Sequence, residues 1–217
     1  MIDDNKLSLF KQLLGEAYPK AKTELICDSP FQLLVAALLS AQTTDKQVNK
    51  ITRPLFKKYS TPEALLTLSQ KELEEKIKHL GLYRHKSRHL LELCRILLEE
   101  HAGEVPKERE KLMALPGVGR KTANVVLANA FGIPAFAVDT HVGRVSRRLG
   151  LTEKKEPIAV EQDLCNLFPP EEWHNLHHQL ILHGRKYCIA RRPRCNECFL
   201  NKICPSRYSV TKKEDIR

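Results

Sequence analysis

Apolar residues recur along this chain at the three- and four-residue spacing of helices that bury one face. Near the start, four of them fall on one helical face: Leu7, Phe10, Leu13 and Leu14. Residues 31–39 are apolar almost all round, as a helix inside an α-helical core would be. Further helices are predicted over residues 62–68, 71–80 and 87–100, separated by short turns that contain Gly, Pro, Ser or Thr. No stretch alternates with a period of two, so we predict an all-α fold without a long linker.

The chain is strongly basic, which indicates a polyanionic partner. Among 217 residues, 36 are Lys or Arg and 26 are Asp or Glu, so the formal net charge is +10. A hydrophobic content of 42% is enough for a sizeable core in one or two small domains. Nucleic acid is the first candidate partner and an anionic membrane surface is the second. The alternative is a charge that serves only solubility.

The sequence shows no secretory signal at the N-terminus and no segment that could span a membrane. The N-terminus lacks a cationic segment followed by an apolar stretch, and the most apolar run is residues 33–39. That run is far shorter than the ~20 residues of a membrane-spanning helix. We therefore expect a soluble, cytoplasmic protein. Disulfides are not expected in a reducing compartment, so the seven cysteines need another explanation.

A glycine-containing turn between two helical patterns is the first candidate binding site. Residues 115–123 are Leu-Pro-Gly-Val-Gly-Arg-Lys-Thr-Ala. Gly117 and Gly119 permit positive φ and remove side-chain bulk, so a ligand could approach the backbone closely. Amides at these glycines and at the start of the next helix would form an anion site that suits a DNA phosphate. The alternative is an ordinary corner between helices, but the neighbouring Arg120 and Lys121 favour DNA binding.

Four cysteines near the C-terminus form a candidate metal site. Cys188, Cys195, Cys198 and Cys204 follow the spacing Cys-x6-Cys-x2-Cys-x5-Cys. Four thiolates in one short loop suit either an iron–sulfur cluster or tetrahedral zinc. Zinc sites often contain two Cys-x2-Cys pairs, and this loop contains one. The spacing therefore favours an iron–sulfur cluster without excluding zinc.

The metal in this loop is interpreted as structural, because four protein thiolates leave no open position for substrate. Basic residues surround the loop and would be held in fixed positions against a phosphate backbone: Arg185, Lys186, Arg191, Arg192, Arg194 and Lys202. Four histidines precede the loop: His174, His177, His178 and His183. We interpret them as packing and hydrogen-bonding residues and not as a second metal site, because their spacing matches no familiar ligand set.

Five segments together resemble the bacterial endonuclease III family of helix–hairpin–helix DNA glycosylases and AP lyases. They are residues 38–42 (Leu-Leu-Ser-Ala-Gln), 81–83 (Gly-Leu-Tyr), 115–123, 137–141 (Ala-Val-Asp-Thr-His) and the four-cysteine loop. The resemblance covers nearly the whole chain. It implies that the four cysteines hold a [4Fe–4S] cluster.

The resemblance also implies a division into two helical domains. Residues 23–133 would form a helical barrel that contains the helix–hairpin–helix at about 109–130. Residues 1–22 and 134–217 would form the iron–sulfur cluster domain, with the cluster loop at 188–204. DNA would lie in a groove between the two domains.

The roles of four residues follow from the same resemblance. Lys121 would form a Schiff base with the deoxyribose, Asp139 would assist, and β-elimination would then break the strand. Because a base inside a duplex is out of reach, the nucleotide must flip out. Gln42 would then bind the opposite base and Leu82 would act as an apolar wedge. Asp139 is also predicted from the sequence itself to cap a helix that begins at Thr140.

Double-stranded DNA with damaged bases or abasic sites is the expected partner. An aromatic content of 6% disfavours a stacking platform for single strands. His141 and Arg144 are expected to contact phosphates. The other expected DNA contacts are Gly117, Gly119, Arg120, Thr140, Arg191 and Arg192. We expect the protein to act as a monomer that associates with the bacterial nucleoid while it scans DNA.

The expected activity is base-excision repair by a bifunctional DNA N-glycosylase for oxidised pyrimidines. One alternative is a monofunctional mismatch glycosylase, but that branch lacks the lysine at the hairpin and carries a further C-terminal domain. Here Lys121 is present and the chain ends thirteen residues after Cys204. The other alternative is a non-catalytic DNA-binding module with a structural metal, which predicts binding without strand cleavage.

Overall fold

The computed structural model describes residues 3–207, and every regular element in that range is a helix, which confirms the all-α prediction. The eleven helices of these residues are α1 Asp4–Ala17, α2 Pro30–Leu39, α3 Asp45–Phe56, α4 Pro62–Leu66, α5 Gln70–Ile77, α6 Tyr83–His101, α7 Arg109–Ala114, α8 Arg120–Phe131, α9 Thr140–Arg148, α10 Pro157–Leu167 and α11 Pro170–Lys186. None of these helices has the length and apolarity needed to cross a membrane.

The chain divides into two compact units. One is Thr23–Ile133, and the other combines Met1–Lys22 with Pro134–Arg217, as far as those segments are described. The second unit therefore has a core that combines α1 with segments from the C-terminal half of the chain. Phe10 and Leu14 of α1 are fully buried there, and the Phe10 ring lies 6.1 Å from that of Phe168. Leu200, in the cysteine loop, is buried in the same core.

Helix α2 is the most buried element of the Thr23–Ile133 unit. The Ser29 side chain accepts a hydrogen bond from the Gln32 amide (3.2 Å) and so caps the helix start. Pro30 occupies the first helical position, where its missing N–H is not needed. Residues 31–39 are all buried, as their apolar pattern predicts. Helix α2 packs against α3, α6 and α8, and α6 also packs against α4 and α5.

Three of the predicted helix boundaries are wrong by two residues or more. Helix α4 ends at Leu66 and not at residue 68, and α5 ends at Ile77 and not at residue 80. Helix α6 begins at Tyr83, four residues before the predicted start at 87. Its N-cap, Leu82, makes no side-chain capping bond among the described residues. The sequence there contains no capping signal that would mark the start.

Candidate functional site

The turn between α7 and α8 requires glycine at position 117. Gly117 has a φ of +77°, a region that side chains disfavour. A Cβ at this position would lie 3.0 Å from Nδ1 of His89 and 3.2 Å from Cδ1 of Leu38. The Val118 amide closes the turn by donating to the Leu115 carbonyl oxygen (3.1 Å). The hairpin therefore fits closely onto α2 and α6.

Gly119 is different, because it does not use the positive φ that a glycine permits. Its φ of −90° and ψ of 173° are accessible to any residue. A Cβ there would meet nothing within 4 Å in the described part of the chain. Neither the backbone conformation nor internal packing therefore demands a glycine. What its missing side chain provides is open backbone on the surface, which suits close approach by a ligand.

Gly119 is also the N-cap of α8 and leaves the start of that helix accessible to an anion. Among residues 3–207, no side chain caps this helix. The amides of its first turn carry partial positive charge that an anion could satisfy. Lys121 lies in this first turn and is exposed, whereas Arg120 is half-buried. The structure thus places a lysine beside a potential phosphate site.

Gln42 and Leu82 share an uncommon backbone conformation. Their φ values are +57° and +60°, in the left-handed region that non-glycine residues rarely adopt. Both residues are exposed, and 54% of the Leu82 surface is accessible. A strained, exposed leucine contributes little to the core. Strain of this kind is concentrated at functional sites, where the surrounding structure maintains it.

Asp139 caps α9, as the sequence predicts. Its Oδ1 accepts a hydrogen bond of 2.7 Å from the Val142 amide, and the residue is half-buried. Thr140 follows and is exposed. The cap fixes the orientation of the carboxylate at the positive end of a helix.

His141 is held in one orientation by Arg144, one turn further along α9. The Arg144 guanidinium donates to His141 Nδ1 at 3.1 Å, so the imidazole proton resides on Nε2. Burial lowers the pKa of His141, although the Asp139 carboxylate opposes this effect. His141 is therefore a neutral imidazole with an N–H donor at Nε2.

Two arginines of α9 bind the cysteine loop through its backbone. Arg144 donates to the carbonyl oxygens of Gly184 and Cys188, both at 3.0 Å. Arg148 donates to the carbonyl oxygen of Ile189 at 2.7 Å, and its Nη1 lies 3.5 Å from Cys188 Sγ. Sequence reasoning missed Arg148. Its spacing of four residues from Arg144, which puts both on one helical face, was the available signal.

The four cysteines of the loop line one cavity, together with Arg148, His183 and Tyr187. Burial raises the pKa of Cys198 to about 11, and the other three sulfurs of the loop add to this effect. Thiolates would accumulate here only with a compensating cation. Within residues 3–207, no three His, Cys, Asp or Glu side chains are close enough together to bind one metal ion.

The histidines of α11 pack against one another and against the core, and His177 forms a hydrogen bond, as predicted. His177 Nδ1 donates to the Ala137 carbonyl oxygen at 2.7 Å, two residues before Asp139. The rings of His174 and His177 lie 4.9 and 4.8 Å from that of His178. Burial, aided by these two neighbours, lowers the pKa of His178 to about 3, so its ring is neutral. His183 lies against the cavity, with Nε2 3.6 Å from Cys198 Sγ.

Two more of the expected DNA contacts lie in the cysteine loop. Arg191 and Arg192 are both exposed, and Arg192 has a φ of +52°. Four non-glycine residues of the described chain have positive φ, and three of them are expected DNA contacts: Gln42, Leu82 and Arg192. Sequence patterns carry no sign of this, because these residue types ordinarily adopt negative φ.

Known proteins share this sequence and fold. A model of the HhH-GPD superfamily of base excision DNA repair proteins matches residues 35–170. Endonuclease III of Bacillus subtilis (strain 168) is 45% identical over 214 residues, which cover 98% of each chain. A solved non-covalent endonuclease III–DNA complex matches with a TM-score of 0.93 and 44% identity, and covers 98% of this chain and 100% of that chain. A trapped endonuclease III–DNA covalent intermediate matches with a TM-score of 0.92 and 44% identity, and covers 100% of both chains. The chain therefore belongs to the HhH-GPD superfamily of base excision DNA repair proteins, as a member of its endonuclease III family.

Proposed function

We propose that the protein is a bifunctional DNA glycosylase and AP lyase that removes an oxidised pyrimidine from duplex DNA and cleaves the strand 3′ to the abasic site. The observation that carries this proposal is the exposed Lys121 in the uncapped first turn of α8, next to the open backbone of Gly119. An amine beside a bound phosphate is within reach of the adjoining sugar. The likeness to a trapped covalent intermediate of endonuclease III supports the same chemistry.

In this mechanism Lys121 acts as a nucleophile. Its neutral amine attacks C1′ of the sugar, and the base leaves with the electron pair of the glycosidic bond and takes up a proton from solvent. The C1′–O4′ bond then opens, O4′ receives the proton that the amine gives up, and a protonated Schiff base remains. The iminium withdraws electrons from C2′, a C2′ proton leaves, and the 3′ C–O bond breaks by β-elimination. We assign proton transfer in these steps to Asp139. Its Oδ1 is held by the Val142 amide, which leaves Oδ2 to accept the proton.

Gln42 and Leu82 enter the duplex when the nucleotide flips out. The amide of Gln42 can hydrogen-bond to the base left without a partner, whereas the apolar side chain of Leu82 needs none. Their exposure and their left-handed backbone support this assignment. Each side chain is presented outward on a short, constrained turn.

The remaining contacts bind phosphates and carry no sequence information. We assign direct contacts to these residues: Gly117, Gly119, Arg120, Thr140, His141, Arg191 and Arg192. Arg144 acts on the same phosphate-binding surface by fixing the orientation of the His141 ring. We propose that the protein binds double-stranded DNA as a monomer, in the bacterial cytoplasm at the nucleoid.

Cys188, Cys195, Cys198 and Cys204 are proposed to hold a [4Fe–4S] cluster. Four thiols around one cavity suit a polynuclear cluster, in which each thiolate binds a separate iron. The bound cluster would supply a rigid support for Arg191 and Arg192 and no chemistry at the sugar. The hydrogen bonds from Arg144 and Arg148 to the loop backbone support the same part of the chain.

The cluster can be tested by replacing one proposed ligand. Protein purified without oxygen should contain iron and absorb visible light through thiolate-to-iron charge transfer. Cys198→Ser should lose both the absorption and most of the iron. Cys165→Ser is the matched control, because Cys165 packs against the same core outside the loop. Bound zinc in place of iron, or an unchanged spectrum in Cys198→Ser, would contradict the assignment.

Borohydride reduction tests the proposed activity on the unaltered protein. Incubated with a duplex that contains an abasic site, the protein should form a covalent adduct that survives denaturation, because borohydride reduces the Schiff base. Base removal from a second duplex that contains an oxidised pyrimidine, without an adduct on the abasic duplex, would indicate a monofunctional glycosylase. Binding with neither base removal nor an adduct would indicate a non-catalytic DNA-binding module.

A further inference from the structure

Lys86 is a buried lysine of α6 that the mechanism above does not use. Only 5% of its surface is accessible. Its Nζ donates to the carbonyl oxygens of Leu39 (2.9 Å) and Ala41 (2.7 Å), and Thr43 Oγ1 lies at 3.5 Å. The ammonium group is therefore enclosed by the end of α2 and the turn that follows it, residues 40–43.

The acceptors around Lys86 explain how a buried charge is tolerated. The last carbonyl groups of a helix have no partners within the helix and carry partial negative charge. Ser40 Oγ donates to the Ala37 carbonyl oxygen at 2.7 Å, and Lys86 supplies donors to the Leu39 and Ala41 carbonyls further along. Burial lowers the pKa of Lys86, so the charge has a cost that simple core packing would avoid.

The backbone of Lys86 is tied to a second turn. Its amide donates to the Leu82 carbonyl oxygen at 3.0 Å, which is the first hydrogen bond of α6. One residue thus binds the turn that carries Gln42 through its side chain and the turn that carries Leu82 through its backbone. Both turns contain a non-glycine residue with positive φ, which needs support from its surroundings.

We propose that Lys86 is a positioning residue that fixes the turns of Gln42 and Leu82 relative to each other, so that both side chains enter the duplex together. The inference rests on the proposed function, because the two turns matter only if they enter DNA. The turn between α7 and α8, which carries Gly117, packs against the same two helices, α2 and α6. His89, less than one turn beyond Lys86, and Leu38 of α2 both lie against Gly117.

The first test separates insertion from the chemistry at the sugar. Lys86→Met keeps the length of the side chain and removes its donors. Base removal from duplex DNA should slow by about 10²-fold, as expected when reacting groups are displaced by about 1 Å. Borohydride trapping on a single-stranded abasic oligonucleotide should change little, because no base has to be displaced there. Lys86→Arg, which keeps charge and donors, should recover part of the duplex rate.

Thr52→Val serves as a control for lost stability. Thr52 is fully buried in the same unit, and it donates to the Val48 carbonyl oxygen at 3.1 Å, a hydrogen bond within α3. Its replacement should lower the melting temperature and leave base removal unchanged. If Thr52→Val slowed base removal as much as an equally destabilised Lys86→Met, the effect would be one of stability and the inference would fail.

A double-mutant cycle with Gln42→Ala gives the decisive result. If Lys86 acts by holding the Gln42 turn, the double variant should be about as slow as Lys86→Met alone. Independent effects on rate would multiply instead, and that result would overturn the inference. Lys86→Gln, which can reach fewer acceptors, replaces Lys86→Met in the cycle if the latter does not fold. Should the wild-type protein fail to trap on abasic DNA, the proposed function itself would be at fault.

Discussion

Lys121→Ala should abolish the borohydride-trapped adduct and lower the lyase rate by on the order of 10³-fold or more, as loss of a covalent nucleophile does. Affinity for DNA should change little, since one exposed lysine contributes only a small share of the phosphate contacts. The adduct is measured by its retarded migration under denaturing conditions. Binding is measured separately at one fixed salt concentration on a duplex with a non-cleavable abasic analogue.

Lys121→Arg distinguishes a nucleophile from a phosphate contact. Arginine keeps the positive charge but stays protonated, so it cannot attack C1′. We expect this variant to bind as well as the wild type and to form no adduct. If it restored strand cleavage, Lys121 would be a phosphate contact. If trapping persisted in Lys121→Ala, peptide mapping of the adduct would reassign the nucleophile.

Local sequence signals predict those parts of the fold and site whose interactions are close along the chain. The apolar run at residues 31–39 predicts the buried α2, because a helix with apolar residues on every face is buried on all sides. Asp139 caps α9 through a residue three positions away, so the motif itself contains both partners. The turn between α7 and α8 is likewise formed by residues that are close together in the sequence.

Features that depend on distant partners could not be predicted this way. The Lys86 ammonium binds carbonyl groups 45 and 47 residues away, and nothing in the sequence near Lys86 separates it from an exposed helical lysine. Arg144 binds Gly184 and Cys188, 40 and 44 residues away. The left-handed backbone at Gln42 and Leu82 likewise runs against the local preference of both residues, so local sequence patterns do not predict it.

Asp139→Asn should separate the catalytic role of this residue from its role as a helix cap. Asparagine is as good an N-cap as aspartate, so the hydrogen bond from the Val142 amide should survive. The variant loses the carboxylate that accepts the proton. Base removal should therefore fall by about 10²- to 10⁴-fold, the usual contribution of a positioned acid or base. Single-turnover rates on a duplex with an oxidised pyrimidine measure this loss.

Asp139→Ala completes the comparison because it removes the cap and the carboxylate together. It should lower the free energy of unfolding by about 1 kcal/mol, the usual cost of a lost N-cap, and its base-removal rate should match that of Asp139→Asn. Thermal unfolding followed by circular dichroism measures the first difference. A fast Asp139→Asn beside a slow Asp139→Ala would mean that Asp139 serves the reaction only by shaping α9. Another group would then have to accept the proton. Neutral His141, two residues after Asp139, would be the first residue to replace.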